Sequence, residues 1–153
     1  SYDEYRNMIS IIFGDFHLFK RLYGVDLGDG TKARRLMEHM EIQDKSQLIS
    51  GEFSTIDLST GQRKRLALVV SLLEDRSIYI FDEWAANQDV EFKRAFYETY
   101  LPGLRDQGKI VIVISHDLHF FHSADDVIWL EDGKVASLPD GMAPSRRPAV
   151  ATG

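Results

Sequence analysis

The run Ile78-Tyr79-Ile80-Phe81-Asp82-Glu83 constrains this chain more than any other feature. Its β-branched and aromatic residues read as a buried strand, yet it ends in two adjacent carboxylates. Charge at the end of a buried strand is costly unless it has a partner or a task. A second signal lies upstream. Leu58-Ser59-Thr60-Gly61-Gln62 is a Ser/Thr/Gly turn that runs through Arg63-Lys64-Arg65 into Leu66 to Leu73, which reads as an amphipathic helix. Open N–H groups and the dipole at a helix start favour an anion, while paired acids at a strand end suit a metal ion and a water. Together the two signals point to nucleotide hydrolysis.

The rest of the chain alternates strands and helices around this stretch. Met8 to Phe13 reads as a strand, broken by Gly14-Asp15 and followed by the aromatic loop Phe16-His17-Leu18-Phe19. Gly24 to Gly30 reads as a loop, Thr31 to Met40 as a helix on the spacing Ala33, Leu36, Met37, Met40, and Lys45 to Ile49 as a second short helix. After Glu83, a loop from Trp84 to Asp89 precedes a helix carrying Val90, Phe92, Ala95, Phe96, Tyr97, Tyr100 and Leu101, with Asp89 as its N-cap and Pro102-Gly103 weakening its end. Ile110 to Ile114 has the β-branched density of a strand buried on both faces, and Ser115-His116-Asp117 stands at its carboxyl end. A short helix through Phe121, strands at Asp126 to Leu130 and Val135 to Leu138, and the turn Glu131 to Lys134 between them follow. This alternation predicts an α/β fold with a parallel sheet, crossover helices, and chemistry at the strands' carboxyl ends. Asp82, Glu83 and His116 all fall at such ends.

Bulk properties narrow the classes further. With 153 residues, 44% of them hydrophobic, the chain suffices for one domain with a core. A net charge of -6 argues against a nucleic-acid partner, and the absence of cysteine removes disulfides, a thiol nucleophile and a Cys-based zinc site. Leu66 to Leu73 and Ile110 to Ile114 are far shorter than the roughly 20 residues that span a bilayer, so this segment by itself reads as soluble. Ser1 to Arg6 lacks the basic-then-apolar pattern of a signal peptide and reads as an entry into the middle of a domain. Pro139 to Gly153 holds three of the four prolines without periodicity and reads as a flexible tail.

Four motifs in order resemble the ATP-binding-cassette (ABC) ATPase family. Leu58 to Gln62 looks like its signature motif, Ile78 to Glu83 like the Walker B strand with its catalytic glutamate, Ala86 to Asp89 like the D-loop, and His116 like the switch histidine. Within that family, Asp15-Phe16-His17-Leu18-Phe19, Gln62 to Leu68 and Phe81-Asp82-Glu83-Trp84-Ala85-Ala86 resemble bacterial exporters of cyclic peptides and siderophore-related compounds. Trp84 stands where most relatives carry proline, Thr60 where they carry the first signature glycine, and Gly14 near the position of the Q-loop glutamine. No Gly-x-x-x-x-Gly-Lys-Ser/Thr occurs, so the chain resembles the C-terminal half of a P-loop NTPase-like core, with its Walker A loop upstream.

The resemblance implies ATP and Mg2+ as cofactors. Asp82 would hold the Mg2+, Glu83 would orient or deprotonate the attacking water, and His116 would bond the γ-phosphate. Ser59, Thr60, Gly61 and Gln62 would contact ATP bound to a second copy in a head-to-tail dimer, and Asp89 would couple the two sites. Each has a plainer alternative: solvated acids for Asp82-Glu83, an ordinary N-cap for Ser59 and for Asp89, a structural role for His116, a solvated face for Arg63-Lys64-Arg65. His119 and His122 read as packing or surface residues. The implied organisation is a partial ATPase domain over 1–138, with Q-loop region, helical subdomain and signature helix over 14–75, Walker B to switch region over 76–138, and a tail over 139–153. It would sit at the cytoplasmic face of the inner membrane, against the transporter's transmembrane domain. A soluble ABC-type ATPase of DNA maintenance and a non-hydrolysing partner-binding fragment stand as alternatives.

Overall fold

The computed structural model describes Tyr5 and residues 7–139. In chain order the elements are β1 (Ile9–Ile12), α1 (Thr31–His39), β2 (Leu48–Ile49), β3 (Glu52–Phe53), α2 (Thr60–Glu74), β4 (Ile78–Asp82), a 3-10 turn (Trp84–Asn87), α3 (Val90–Ala95), a π-helical turn (Phe96–Tyr100), α4 (Leu101–Asp106), β5 (Ile110–Ile114), a second 3-10 turn (Leu118–Ser123), β6 (Trp129–Glu131) and β7 (Lys134–Ala136). The central sheet is parallel with order β1-β4-β5. Ile12 pairs with Phe81 and Asp82 with Ile114, so the ends of all three strands lie side by side. That register carries Gly14, Asp82-Glu83 and Ser115-His116 to one edge of the sheet, as the α/β pattern predicts.

The two faces of this sheet differ. Tyr79 and Phe81 of β4 point into the core, where Phe81 meets Phe96 edge-to-face at 5.2 Å between ring centres and Trp84 meets Phe96 at 4.3 Å. Ile78, Ile80 and Asp82 alternate onto the other face. On β5 that face leaves Ile110, Ile112 and Ile114 about half exposed, at 58%, 47% and 52%. The expected burial of β5 on both faces is therefore corrected. Its β-branched density permits two-sided packing, but among the described residues one side carries no covering layer.

Helix α2 packs between β1 and α1 and is buried on several sides, through Lys64, Leu66, Ala67, Leu68, Val69, Ser71 and Leu73. The amphipathic stripe expected from sequence is thus replaced by a helix enclosed nearly all round, which is how a central helix reads. Lys45 to Ile49 does not form the expected short helix. Leu48 and Ile49 instead pair with Phe53 and Glu52 around Ser50-Gly51, both with positive φ (50° and 79°), and that two-residue turn overrides the weak helical pattern. Pro102-Gly103, expected to weaken the helix near its end, is carried through: the π-helical turn runs directly into α4, and the chain stays helical past Pro102 to Asp106. The last two strands are shorter than expected and form their own hairpin through Asp132-Gly133. Of the expected tail, only Pro139 is among the described residues.

Candidate functional site

The end of β4 builds the site. Asp82 closes the strand half-buried, and Glu83 then turns into the left-handed region with φ 51° and ψ 29°. For a residue other than glycine, asparagine or aspartate that conformation costs on the order of 1 kcal/mol, so surrounding bonds must impose it. They do so from two sides. The Glu83 N–H donates to the Ile114 carbonyl at 3.0 Å, and the Glu83 carbonyl accepts from Lys64 Nζ at 2.9 Å. With its backbone held between β5 and α2, the Glu83 side chain reaches across the strand ends, and its Oε1 lies 3.2 Å from His116 Nε2. The histidine side chain is otherwise 96% exposed. Two residues assigned to one task from sequence therefore meet.

Gly14 lies against the same corner. A Cβ there would stand 3.5 Å from the Asp82 carbonyl and 3.6 Å from Glu83 Cβ, an ordinary contact. The end of β1 thus faces both acids through a residue with no side chain.

The loop bearing His116 is anchored from behind. Tyr97, in the π-helical turn, has its hydroxyl 2.7 Å from Ser115 Oγ, and Lys93 pairs with Asp117 at 3.0 Å. The Tyr97 ring stacks on Phe120 at 4.5 Å. Burial, with smaller contributions from Asp117 and Glu83, pushes the Tyr97 phenol up to about 12, so the hydroxyl stays protonated and available as a donor. Neither Tyr97 nor Asp117 stood out in the sequence. The π-helical turn that sets Tyr97 behind this loop was the missing clue, and no local pattern announces one.

At the start of α2, Ser59 and Gln62 form a capping box. Ser59 Oγ accepts from the Gln62 N–H at 3.3 Å, while Gln62 Oε1 accepts from the Ser59 N–H at 3.2 Å. Thr60 is exposed beside them. Gly61 has a packing reason to be glycine, since an added Cβ would lie 3.0 Å from the Asn87 carbonyl. Gln88 fastens the contact by donating to the Gly61 carbonyl at 3.0 Å.

Asp89 uses its carboxylate within its own chain. Oδ1 caps α3 by accepting from the Phe92 N–H at 2.9 Å, and Oδ2 pairs with Arg65 at 2.6 Å. The cap bond and the guanidinium hold the Asp89 carboxyl below its usual range. Replacing Asp89 by Ala should cost the folded protein about 1 kcal/mol of unfolding free energy at pH 7, and Asp89→Asn should recover most of it by keeping the cap. Urea unfolding of the three proteins checks this. Because the folded-state pKa is depressed, the contribution is present above the unfolded value near 3.9 and is lost as pH falls through the folded one.

Arg63-Lys64-Arg65 is not the solvated face expected from its charge. Lys64 is 1% exposed and Arg65 lies over the Phe92 ring at 3.8 Å. Burial lowers the Lys64 pKa, and the Glu83 charge opposes that shift. A sequence clue existed: Lys64, Ala67, Leu68 and Ser71 share one helical row, and the other three are buried.

A parallel-sheet core with an acid pair and a histidine at adjacent strand ends, reached by a capped helix, has known counterparts. A family profile described as ABC transporter matches residues 1–86. The ATP-binding protein SyrD of Pseudomonas syringae pv. syringae is 46% identical over 138 residues, covering 88% of this chain and 24% of that protein. The glutathione/L-cysteine transport system ATP-binding/permease protein CydD of Bacillus subtilis is 29% identical over 144 residues, covering 86% and 25%. Among solved structures, cbiO1 from Clostridium perfringens, part of the ABC transporter complex cbiONQ, matches with a TM-score of 0.65 at 20% identity over 88% of this chain and 58% of that one, a likeness of fold. The chain belongs to the ABC transporter family, whose ATP-binding cassettes power transport. It spans about a quarter of the length of SyrD and CydD.

Proposed function

We propose that this chain is part of the ATP-hydrolysing domain of an exporter, carried at the cytoplasmic face of a bacterial inner membrane and moving a cyclic peptide or siderophore-related compound outward. The observation that carries the reading is the 3.2 Å contact between Glu83 and His116 at the ends of adjacent parallel strands, beside Asp82. The exporter class and its cargo rest on the resemblance at Asp15 to Phe19, Gln62 to Leu68 and Phe81 to Ala86. No described helix is long and apolar enough to cross a membrane, so passage would belong to a separate transmembrane domain.

In this reading Asp82 holds Mg2+. The ion prefers oxygen ligands, keeps several waters and takes the rest of its shell from phosphates, so a single half-buried carboxylate at a strand end fits it. When bound, it would neutralise charge developing on the transferred phosphoryl group. Glu83 orients or deprotonates the attacking water, and His116 steadies both the carboxylate and the γ-phosphate. The Thr60 and Gly61 N–H groups, which the capping box does not use, face the ATP of a second copy packed head to tail, with Ser59 and Gln62 shaping that turn. Asp89 serves the same dimer by fixing the loop beside that turn. Residues 1–138 form the partial domain, with 14–75 contributing the helical subdomain and 76–138 the Walker B and switch region.

The full-length transporter should hydrolyse Mg-ATP, whereas the 153-residue chain alone should show negligible turnover, since it has no lysine-bearing phosphate loop. Phosphate release by the two purified proteins checks this. Robust hydrolysis by the isolated chain, or none by the full protein, would overturn the reading.

A further inference from the structure

Among the described residues Lys64 is the one charged side chain in the set of large, fully buried ones, and nothing in the hydrolysis scheme uses it. Its ammonium donates to the Glu83 carbonyl at 2.9 Å and to Asn87 Oδ1 at 3.1 Å. The contact is reciprocal: Trp84, the residue after Glu83, returns its indole N–H to the Lys64 carbonyl at 3.0 Å. From these bonds we infer that Lys64 is a positioning residue for hydrolysis, holding Glu83 in the left-handed backbone conformation that aims its carboxylate at the strand ends.

Two peptide planes flank the Glu83 Cα. The plane before it is fixed by the bond from the Glu83 N–H to Ile114. The plane after it carries the carbonyl that Lys64 holds; the Ala86 N–H reaches the same oxygen only at 3.3 Å. Remove the ammonium and that plane keeps one weak donor, while φ 51° remains unfavourable for glutamate. Relaxation to an ordinary backbone well would swing the Cβ direction and lift Oε1 away from His116. Asn87 adds to the case: its side chain shares the ammonium, and its carbonyl lies against Gly61. The buried Lys64 side chain thereby joins the first turns of α2, the carboxylate's backbone and the 3-10 turn in one partly buried cluster. A charge is buried at net cost unless well paired, so an apolar residue of the same length would serve packing alone at least as well. What methionine cannot supply is the pair of donors.

The inference rests on Glu83 acting in hydrolysis, and the test separates the two claims. In the full-length transporter with Mg-ATP, Lys64→Met should lower kcat by about 10- to 100-fold, as misplacement of a catalytic group by an ångström does, with KM for ATP changed less than about twofold. Lys64→Gln, whose amide can donate to the same carbonyl, should recover at least about fivefold of that loss. In a Glu83→Gln background, Lys64→Met should change residual single-turnover hydrolysis by less than about twofold, because groups that act as a unit are not additive. A purely structural lysine would lower both backgrounds alike. Turnover of Lys64→Met within about twofold of the parent, an equal loss in the Glu83→Gln background, or Lys64→Gln no better than Lys64→Met would each overturn the inference while Glu83→Gln still tests the hydrolysis reading. Glu83→Gln turning over as fast as the parent would overturn both.

Discussion

Glu83→Gln in the full-length transporter lowers steady-state ATP turnover by about 10²- to 10⁴-fold and leaves ATP binding within a few-fold, the span expected when a positioned acid–base group is lost. The substitution is close to isosteric. The amide keeps the reach to His116, now 3.2 Å from Oε1, and the backbone bonds to Ile114 and Lys64 do not involve the side chain. Only the charge and the capacity to accept a proton from water disappear. Since Asp82 and the α2 start are untouched, nucleotide should still bind, and the protein should accumulate in an ATP-bound form. Phosphate release measured beside equilibrium binding of labelled ATP separates the two quantities. Normal turnover would remove Glu83 from its role, and loss of binding in parallel with turnover would make it a binding residue.

The corner where Asp82, Glu83 and His116 meet was legible because its signal is local. Ile78 to Phe81 and Ile110 to Ile114 announce strands by composition, and a charge directly after such a strand can only emerge at its end, so Asp82, Glu83 and His116 could be placed at one edge before any contact was known. Asp89 was legible as a cap for the same reason. What sequence hid depends on which residues approach from afar. Arg63-Lys64-Arg65 looks solvated because three cations in a row usually are, and only the approach of Glu83, Asn87 and Trp84 from a later segment closes over the middle one. Gly61 suited a phosphate in sequence; in the fold the Asn87 carbonyl already demands a residue without a side chain there. Composition likewise reports that β5 can be covered on both sides, whereas the covering layer is a property of other chain segments.

Trp84 marks where fold and site depend on each other most, and Trp84→Ala should be the most destabilising single change near the site. The indole is 1% exposed and touches Phe92 and Phe96 at 6.1 and 4.3 Å between ring centres, with Phe81 edge-on at 6.4 Å. Truncation removes that packing and leaves a cavity among rigid rings that cannot collapse into it, which costs about 3–5 kcal/mol. The lost indole N–H is a smaller part, because the Lys64 carbonyl also lies within α2. Trp84→Phe therefore separates the two contributions: it keeps most of the ring contact, drops the donor, and should cost about 1–2 kcal/mol. Chemical unfolding of the complete nucleotide-binding domain gives both values. If Trp84→Phe were as damaging as Trp84→Ala, the hydrogen bond rather than the packing would dominate. The same pair bears on activity, since Trp84 is covalently joined to Glu83 and bonded to the carbonyl of the lysine that holds it. Loss of the indole donor should therefore reach kcat before KM, in the same direction as Lys64→Met and by a smaller factor.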